Sequence, residues 1–395
     1  MYAGDRRGAQ AWIGAGTRRI DLQGRMLMPG LVDSHVHPML GTLFSSGFVI
    51  DANAKEEQVI DAIKAERPML FLSSDAHSAW ANSKALALAG VTAATKDPPV
   101  GGYQRDANGE PTGLVREAPA MVPMIAALKL LAPERYNPAL KAMLQTFAQM
   151  GFTSLFDAGM PLGLETIFAA LVQMDEAGAL PVRLHATRMV TNNDQVQAAG
   201  GQPKLTLAHV QVVADSDQQR LARLKPLITS TGIWCIRYAA VEDALGAERY
   251  RKMFRFGRLQ RDHGVNVALG SDWPATYGSG TLGIRPFLNI QAAILRLPPP
   301  PLLEAMGSSL GADAEQPLPP QADGFTLEGA LQAYTLAGAR QMGLEAITGS
   351  IRVGKRADLV LLDRDLTAIP TEDIHRTNVL LTLMDGRSTG QSRKA

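Results

Sequence analysis

Two rhythms of hydrophobic and polar positions alternate along the chain. Short apolar runs rich in β-forming residues occupy 27–37 (LMPGLVDSHVH), 152–159 (FTSLFDAG), 180–188 (LPVRLHATR), 204–213 (KLTLAHVQVV), 228–236 (ITSTGIWCI) and 265–272 (VNVALGSD). Between them, residues 138–151, 164–178, 218–227 and 247–264 place apolar side chains at helical spacing, and three of these four segments stop at glycine. Continuous apolar strands alternating with amphipathic helices predict a parallel sheet covered on both faces.

Two stretches break this rhythm. Residues 39–137, which contain SSDAHSAWANS (73–83) and a Gly/Pro-rich segment at 101–113, predict an insertion lying over the first strand end and supplying a substrate-pocket region. Residues 297–324, with PPPP at 298–301 and PLPP at 317–320, predict a long excursion, either a surface connection or a lid. The tail reads differently again, with strands within 349–365 and 378–388. With an N-terminal strand at 17–24 (TRRIDLQG) it predicts a small β-domain, residues 1–26 and 346–395, beside a barrel at 27–345.

Composition narrows the class. At 395 residues and 46% hydrophobic, the chain has ample material for a sizeable core. A formal net charge of +1 gives no global field for nucleic acid or an anionic membrane, and no apolar run reaches the length of a membrane span. The single cysteine, Cys235, excludes a disulfide framework and reads as a core residue with no base beside it. The first ten residues carry no apolar leader, so the expected location is cytoplasmic.

The chemistry concentrates at strand ends. His35 and His37 sit two apart at the end of an apolar strand, so both imidazoles share a face, as does Asp33, and both can meet one metal ion. His209 ends LTLAHV; alone it would read as a satisfied core histidine, and beside the His35–His37 pair it reads as a ligand. Asp272 ends VNVALGSD ahead of Trp273-Pro274. It reads either as a cap for the next helix or, the preferred reading, as a metal ligand that works as general base and then general acid. His185 stays open between a further ligand and a core histidine bonded to backbone. Lys204, five residues before His209, faces the other side of a regular strand and is set aside as a bridging ligand. In residues 73–83, Asp75, His77, Trp80 and Asn82 read either as a helix start or as a substrate wall in which His77 contacts the bound carbonyl. Trp80, Trp273 and Tyr277 suggest an apolar or aromatic acyl pocket, whereas His263 and His375 read as surface residues. Chemistry at successive strand ends favours an α/β (β/α)-barrel over an open sheet.

Together the segments GRMLMPGLVDSHVHPMLG, DAHSAWANS, GFTSLFDAG, LAHVQ, GSDWP, ALQAYTLAGARQMG and GSIRVGKRADLVLLD resemble the amidohydrolase superfamily, specifically the metal-dependent hydrolases of amidohydrolase family 3. The resemblance runs from about residue 11 to 388. It implies a metal-centred (β/α)-barrel with a β-sandwich built from both termini, hydrolysing C–N bonds in amides, ureas or N-acyl compounds. It makes His35 and His37 first-strand ligands, His209 the sixth-strand ligand, Asp272 the eighth-strand ligand and proton carrier, and assigns His77 to the substrate pocket, to which the residues themselves add Asp75, Trp80 and Trp273. Family members carry a lysine-bearing strand and a further histidine strand before the sixth. Here only Met189 to Pro203 separates LPVRLHAT from KLTLAHV, room for a loop and not for two βα units. Relatives also have earlier N-terminal strands, and Ala76 stands where they carry glycine. The expectation is therefore an incomplete barrel, open or covered in a homodimer, that holds one divalent ion per chain: Zn first, then Mn, Fe or Co. Its partner is a small amide-like substrate, cleaved by metal-activated water. The rival is a catalytically impaired or inactive scaffold that keeps the motifs without a complete centre.

Overall fold

The computed structural model of the protein describes residues 4, 6–17, 19–45, 49–50, 67–73, 77–159, 164–187, 205–276 and 280–391. Each of the six apolar runs contains a strand. Leu27–Pro29 (β1) and Leu31–Val36 (β2) come from the first, followed by Phe152–Asp157 (β3), Arg183–His185 (β4), Thr206–Ala208 (β5), Leu227–Thr231 (β6) and Asn266–Gly270 (β7). Strands β2, β3 and β4 pair in parallel, as do β5, β6 and β7. The two sets meet where β2 runs beside β7. The Asp272 amide donates to the His35 carbonyl at 2.7 Å and the His37 amide to the Trp273 carbonyl at 2.8 Å. The Ser271 amide reaches Asp33 Oδ1 at 3.0 Å. The result is a run of six parallel strands, β4-β3-β2-β7-β6-β5, with their C-terminal ends on one rim. Among the described residues it ends at β4 on one side and β5 on the other. The expected loss of strands before His209 falls on residues 188–204, outside the described residues.

Helices fall in the predicted segments, with one informative break. The periodicity of 247–264 predicts a single helix, yet Ala247–Tyr250 and Phe256–His263 are separate. Buried Arg296 donates to the carbonyls of Met253 and Phe254, and the Phe254 amide turns away to the Gln211 carbonyl. Phe254 accordingly takes a positive φ of 51°. The backbone groups of this segment find partners outside a helix, which ends it. The predicted strand 228–236 also stops early. After Thr231 the chain turns into a 3₁₀ segment, Gly232–Trp234, because the Asn289 side chain takes the Ile233 amide at 3.1 Å.

Strands Leu359–Leu362 (β8), Val379–Met384 (β9) and Arg387–Gln391 (β10) form an antiparallel sheet with β1 in the order β1-β8-β9-β10. The expected N-terminal strand at 17–24 is replaced by β1. The Asp21 side chain accepts from the Gln23 amide, and Gln23 and Gly24 both take positive φ, so that stretch turns, while Met28 supplies the buried apolar contact. The interrupting region 39–137 holds a five-stranded sheet, Val49–Ile50, Leu70–Ser73, Ser78–Ala81, Pro111–Arg116 and Gly102–Arg105 in spatial order, and, among the described residues, helices that include Pro38–Ser45, Ser83–Leu88 and Ala118–Ala127. No helix among the described residues is long and apolar enough to cross a membrane.

Candidate metal centre

Strand β2 is buried along its whole length, and it carries His35 and His37 to the rim. Asp272 arrives from the neighbouring strand because two glycines permit close approach. A Cβ on Gly270 would lie 2.4 Å from the His35 amide nitrogen and 2.7 Å from Asp33 Oδ1. A Cβ on Gly41, in the helix Pro38–Ser45 that follows His37, would lie 1.9 Å from the Trp273 ring. Only hydrogen fits at either place. Past their strands, His209 and Asp272 both enter the left-handed region, with φ of 67° and 50°. Non-glycine residues there are strained and are held by their surroundings, here by the His209 amide on the Thr229 carbonyl and the Asp272 amide on the His35 carbonyl, each 2.7 Å.

These elements bring three ligand atoms together. Asp272 Oδ1 lies 3.4 Å from His35 Nε2 and 3.2 Å from His37 Nε2. One atom from each residue falls within 4.8 Å of the others. The His209 ring sits 4.7 Å from the His35 ring and 5.1 Å from the ring of Trp234. His37 Nδ1 is 3.0 Å from the Gly159 carbonyl, a contact that fixes its tautomer with Nε2 toward Asp272 when the ring is neutral.

Electrostatics follow from burial and from this convergence. Burial would raise the Asp272 carboxyl, but hydrogen bonds and charge from His35 and His37 hold it well below the usual carboxylate range. Burial would lower His37, but Asp272 outweighs it and raises the imidazole above its ordinary value. His209 moves the other way, lowered by burial and by His35, so its ring stays neutral, and its buried Nδ1 has no hydrogen-bond partner. Two imidazole nitrogens and a carboxylate oxygen are a donor set that suits a divalent ion of the zinc type, with the His209 ring packed against His35 at its side.

The remaining predicted residues are distributed as follows. His185, at the end of β4, is exposed and stacks on Phe156 at 5.5 Å, outside the cluster. His77 is largely exposed and pairs with Glu117 at 3.2 Å, and Trp80 lies in the strand Ser78–Ala81 of the inserted sheet. Asn82 caps the helix Ser83–Leu88 through the Ala85 amide. Trp273 is fully buried, packed against Phe147 with its indole nitrogen donating to the Gly280 carbonyl, and so is part of the core. His375, expected at the surface, is buried with Nδ1 2.9 Å from Gln291 Oε1. Asp75, Lys204 and Tyr277 lie outside the described residues.

Two residues near the centre, Asp157 and Trp234, escaped the pattern-based reading, and Asp33, placed there on the His35–His37 face, was given no role. Asp33 accepts amide hydrogens from His35 and Ser271 on Oδ1, leaves Oδ2 orphaned, and is pushed by burial up to about 7. Asp157, at the end of β3, is buried with at most a weak contact to the Gly159 amide, and burial likewise pushes it up to about 7 against the pull of His37 and that amide. The sequence did carry a sign of it, since FDAG ends an apolar run on aspartate as ALGSD does. Trp234 approaches His209 only because the strand before it turns at Gly232, which periodicity does not reveal.

Comparison with known proteins fits this arrangement. A family profile described as the amidohydrolase family matches residues 18–202 and 188–389. The exoenzymes regulatory protein AepA of Pectobacterium carotovorum subsp. carotovorum is 28% identical over 225 residues, 46% of this chain and 48% of that protein, so the chain spans about half the length of that relative. The N-substituted formamide deformylase of Arthrobacter pascens is 22% identical over 503 aligned residues, 93% of this chain and 89% of that enzyme. Among solved structures, an uncharacterized metal-dependent hydrolase from Pyrococcus horikoshii OT3 superposes with a TM-score of 0.66 at 16% identity, covering 94% of this chain and 93% of its own. At that identity the likeness speaks for the fold.

Proposed function

The chain belongs to the amidohydrolase family, and from that premise we propose that it is a metal-dependent hydrolase of non-peptide C–N bonds in a small molecule, using one ion per chain, zinc first. The observation that carries this reading is Asp272 Oδ1 poised 3.2 and 3.4 Å from two imidazole Nε2 atoms. His35 and His37 would hold the ion through Nε2 and Asp272 through Oδ1, with His209 beside them. When bound, such an ion lowers the pKa of water toward neutrality and polarises a carbonyl. Asp272 takes the proton of the attacking water on its second oxygen and passes it to the leaving nitrogen. His209, neutral and with a free nitrogen, serves as a further ligand or steadies the developing negative oxygen. The formamide deformylase relative supports an amide-type substrate.

Metal analysis of the purified protein tests the reading. Near one equivalent of zinc, manganese, iron or cobalt is expected, together with amidase activity that falls by about 10²–10⁴-fold in Asp272→Asn while the fold persists. Less than about one-tenth of an equivalent after growth with those metals would favour an inactive scaffold instead.

A further inference from the structure

Beside the centre, a cavity of about 290 Å³ opens between the turn after β6, the helix Ala239–Leu245 and the loop after Asp272. Its wall includes Trp234, Tyr238, Val241, Tyr250 and Phe254. Trp234 is shared by both sites, since its ring also packs 5.1 Å from His209. Thr276, four residues beyond Asp272, closes another side. We propose that this cavity is the specificity pocket of the hydrolase site and takes an apolar or singly aromatic substituent on the bond to be cleaved. The proposal rests on the metal-dependent hydrolase reading above.

Chemistry and size both point to that substituent. Gln211 brings an exposed amide to the edge of the wall, and two polar groups of the wall are already engaged with the protein. Thr276 Oγ1 donates to the Ser271 carbonyl at 2.7 Å, and the Tyr250 hydroxyl accepts from the Tyr238 amide at 2.7 Å. Neither asks a ligand for a hydrogen bond, so the occupant gains by burying apolar surface against aromatic faces. A cavity of about 150 Å³ lined by apolar side chains suffices for benzene, so this one admits a ring with a short linking chain. The aromatic pocket thus falls on Trp234, Tyr238, Tyr250 and Phe254, and not on Trp273, which is buried.

Hydrolysis of N-benzylacetamide and of its isomer N-methyl-2-phenylacetamide, each against N-methylacetamide, tests this. One of the aromatic isomers is expected to exceed the small amide in kcat/KM by at least about tenfold, and which one tells the side of the bond that enters. Val241→Trp, which fills the cavity, should collapse that ratio toward unity, and Tyr238→Ala should shift preference toward a naphthylmethyl substituent. Cleavage with a ratio below about two, unmoved by either variant, would overturn the pocket while leaving the hydrolase reading intact. Calorimetric binding of N-benzylacetamide to Asp272→Asn reads the cavity without turnover. Equal binding by that protein and by its Val241→Trp derivative overturns the pocket even if no amide is cleaved.

Discussion

Asp272 and Asp33, on adjacent strands, are driven in opposite directions by the same burial. Asp272 has two imidazoles to offset it and stays charged, whereas Asp33 has two backbone amides and is pushed up to about 7. The sign of the pH dependence follows. A carboxyl raised on folding favours the folded state fully below its ordinary pKa of about 4 and loses that advantage as pH climbs through about 7. His37, also raised, contributes stability that is complete below the ordinary imidazole value and is lost above the raised one. Asp272, depressed, loses its contribution only as pH falls below the ordinary carboxylate range. Metal-free protein in chelator is therefore expected to melt highest near pH 5 and lower at pH 8. Asp33→Asn should flatten that slope, by roughly 2–4 kcal/mol between the two pH values; melting curves that stay parallel to the wild type would refute it. Of the residues themselves, the His35–His37 spacing and the strand-end positions of His209 and Asp272 were legible because a period of two fixes which side chains share a face. The orphaned oxygen of Asp33 and the weakly held carboxyl of Asp157 were not, because an unsatisfied atom is defined by what three-dimensional neighbours fail to supply.

At the scale of elements, strand existence was written in the apolar runs and strand ends were not. The run 228–236 stays apolar beyond Thr231, yet Asn289, 56 positions after Ile233, claims the Ile233 amide and turns the chain. The 247–264 periodicity is likewise interrupted by a guanidinium from Arg296. Both endings are decided by distant side chains, which local pattern cannot contain. The meeting of β2 and β7 depends on one missing methyl group. Gly270→Ala would drive a Cβ into the His35 backbone and force the strands apart. A loss of about 1–3 kcal/mol in stability is expected, with metal affinity reduced by tenfold or more because Asp272 moves with the strand. Calorimetric zinc titration alongside chemical denaturation measures both, and unchanged zinc affinity would show that the close approach is not what sets the ligand geometry.

For the whole molecule, the parallel strands and the C-terminal sheet are tied by a few long-range contacts. Arg183 on β4 grips Asp358, just before β8, with both guanidinium nitrogens, and Asp358 also accepts the Asp385 amide. The Gly30 amide donates to the Asp358 carbonyl, and Gln145 reaches the Thr389 carbonyl. The strands within 349–365 and 378–388 were legible as apolar runs, but the identity of the N-terminal strand beside them was hidden, since pairing of residues 27–29 with 359–361 spans most of the chain. Arg183→Ala would strand a buried carboxylate and is expected to cost about 3 kcal/mol. A melting temperature lowered by less than a degree would mean that the pair is not what joins the two sheets.

The main-chain hydrogen bonds between the two strand ends, the Asp272 amide on the His35 carbonyl and the His37 amide on the Trp273 carbonyl, carry a consequence for how the centre tolerates change. Because that lock lies in the backbone, replacing one ligand side chain leaves the main chain beneath the other two where it was. The centre is therefore open to exchange of one donor type for another at a single position, with the spacing of the remaining donors inherited from the fold.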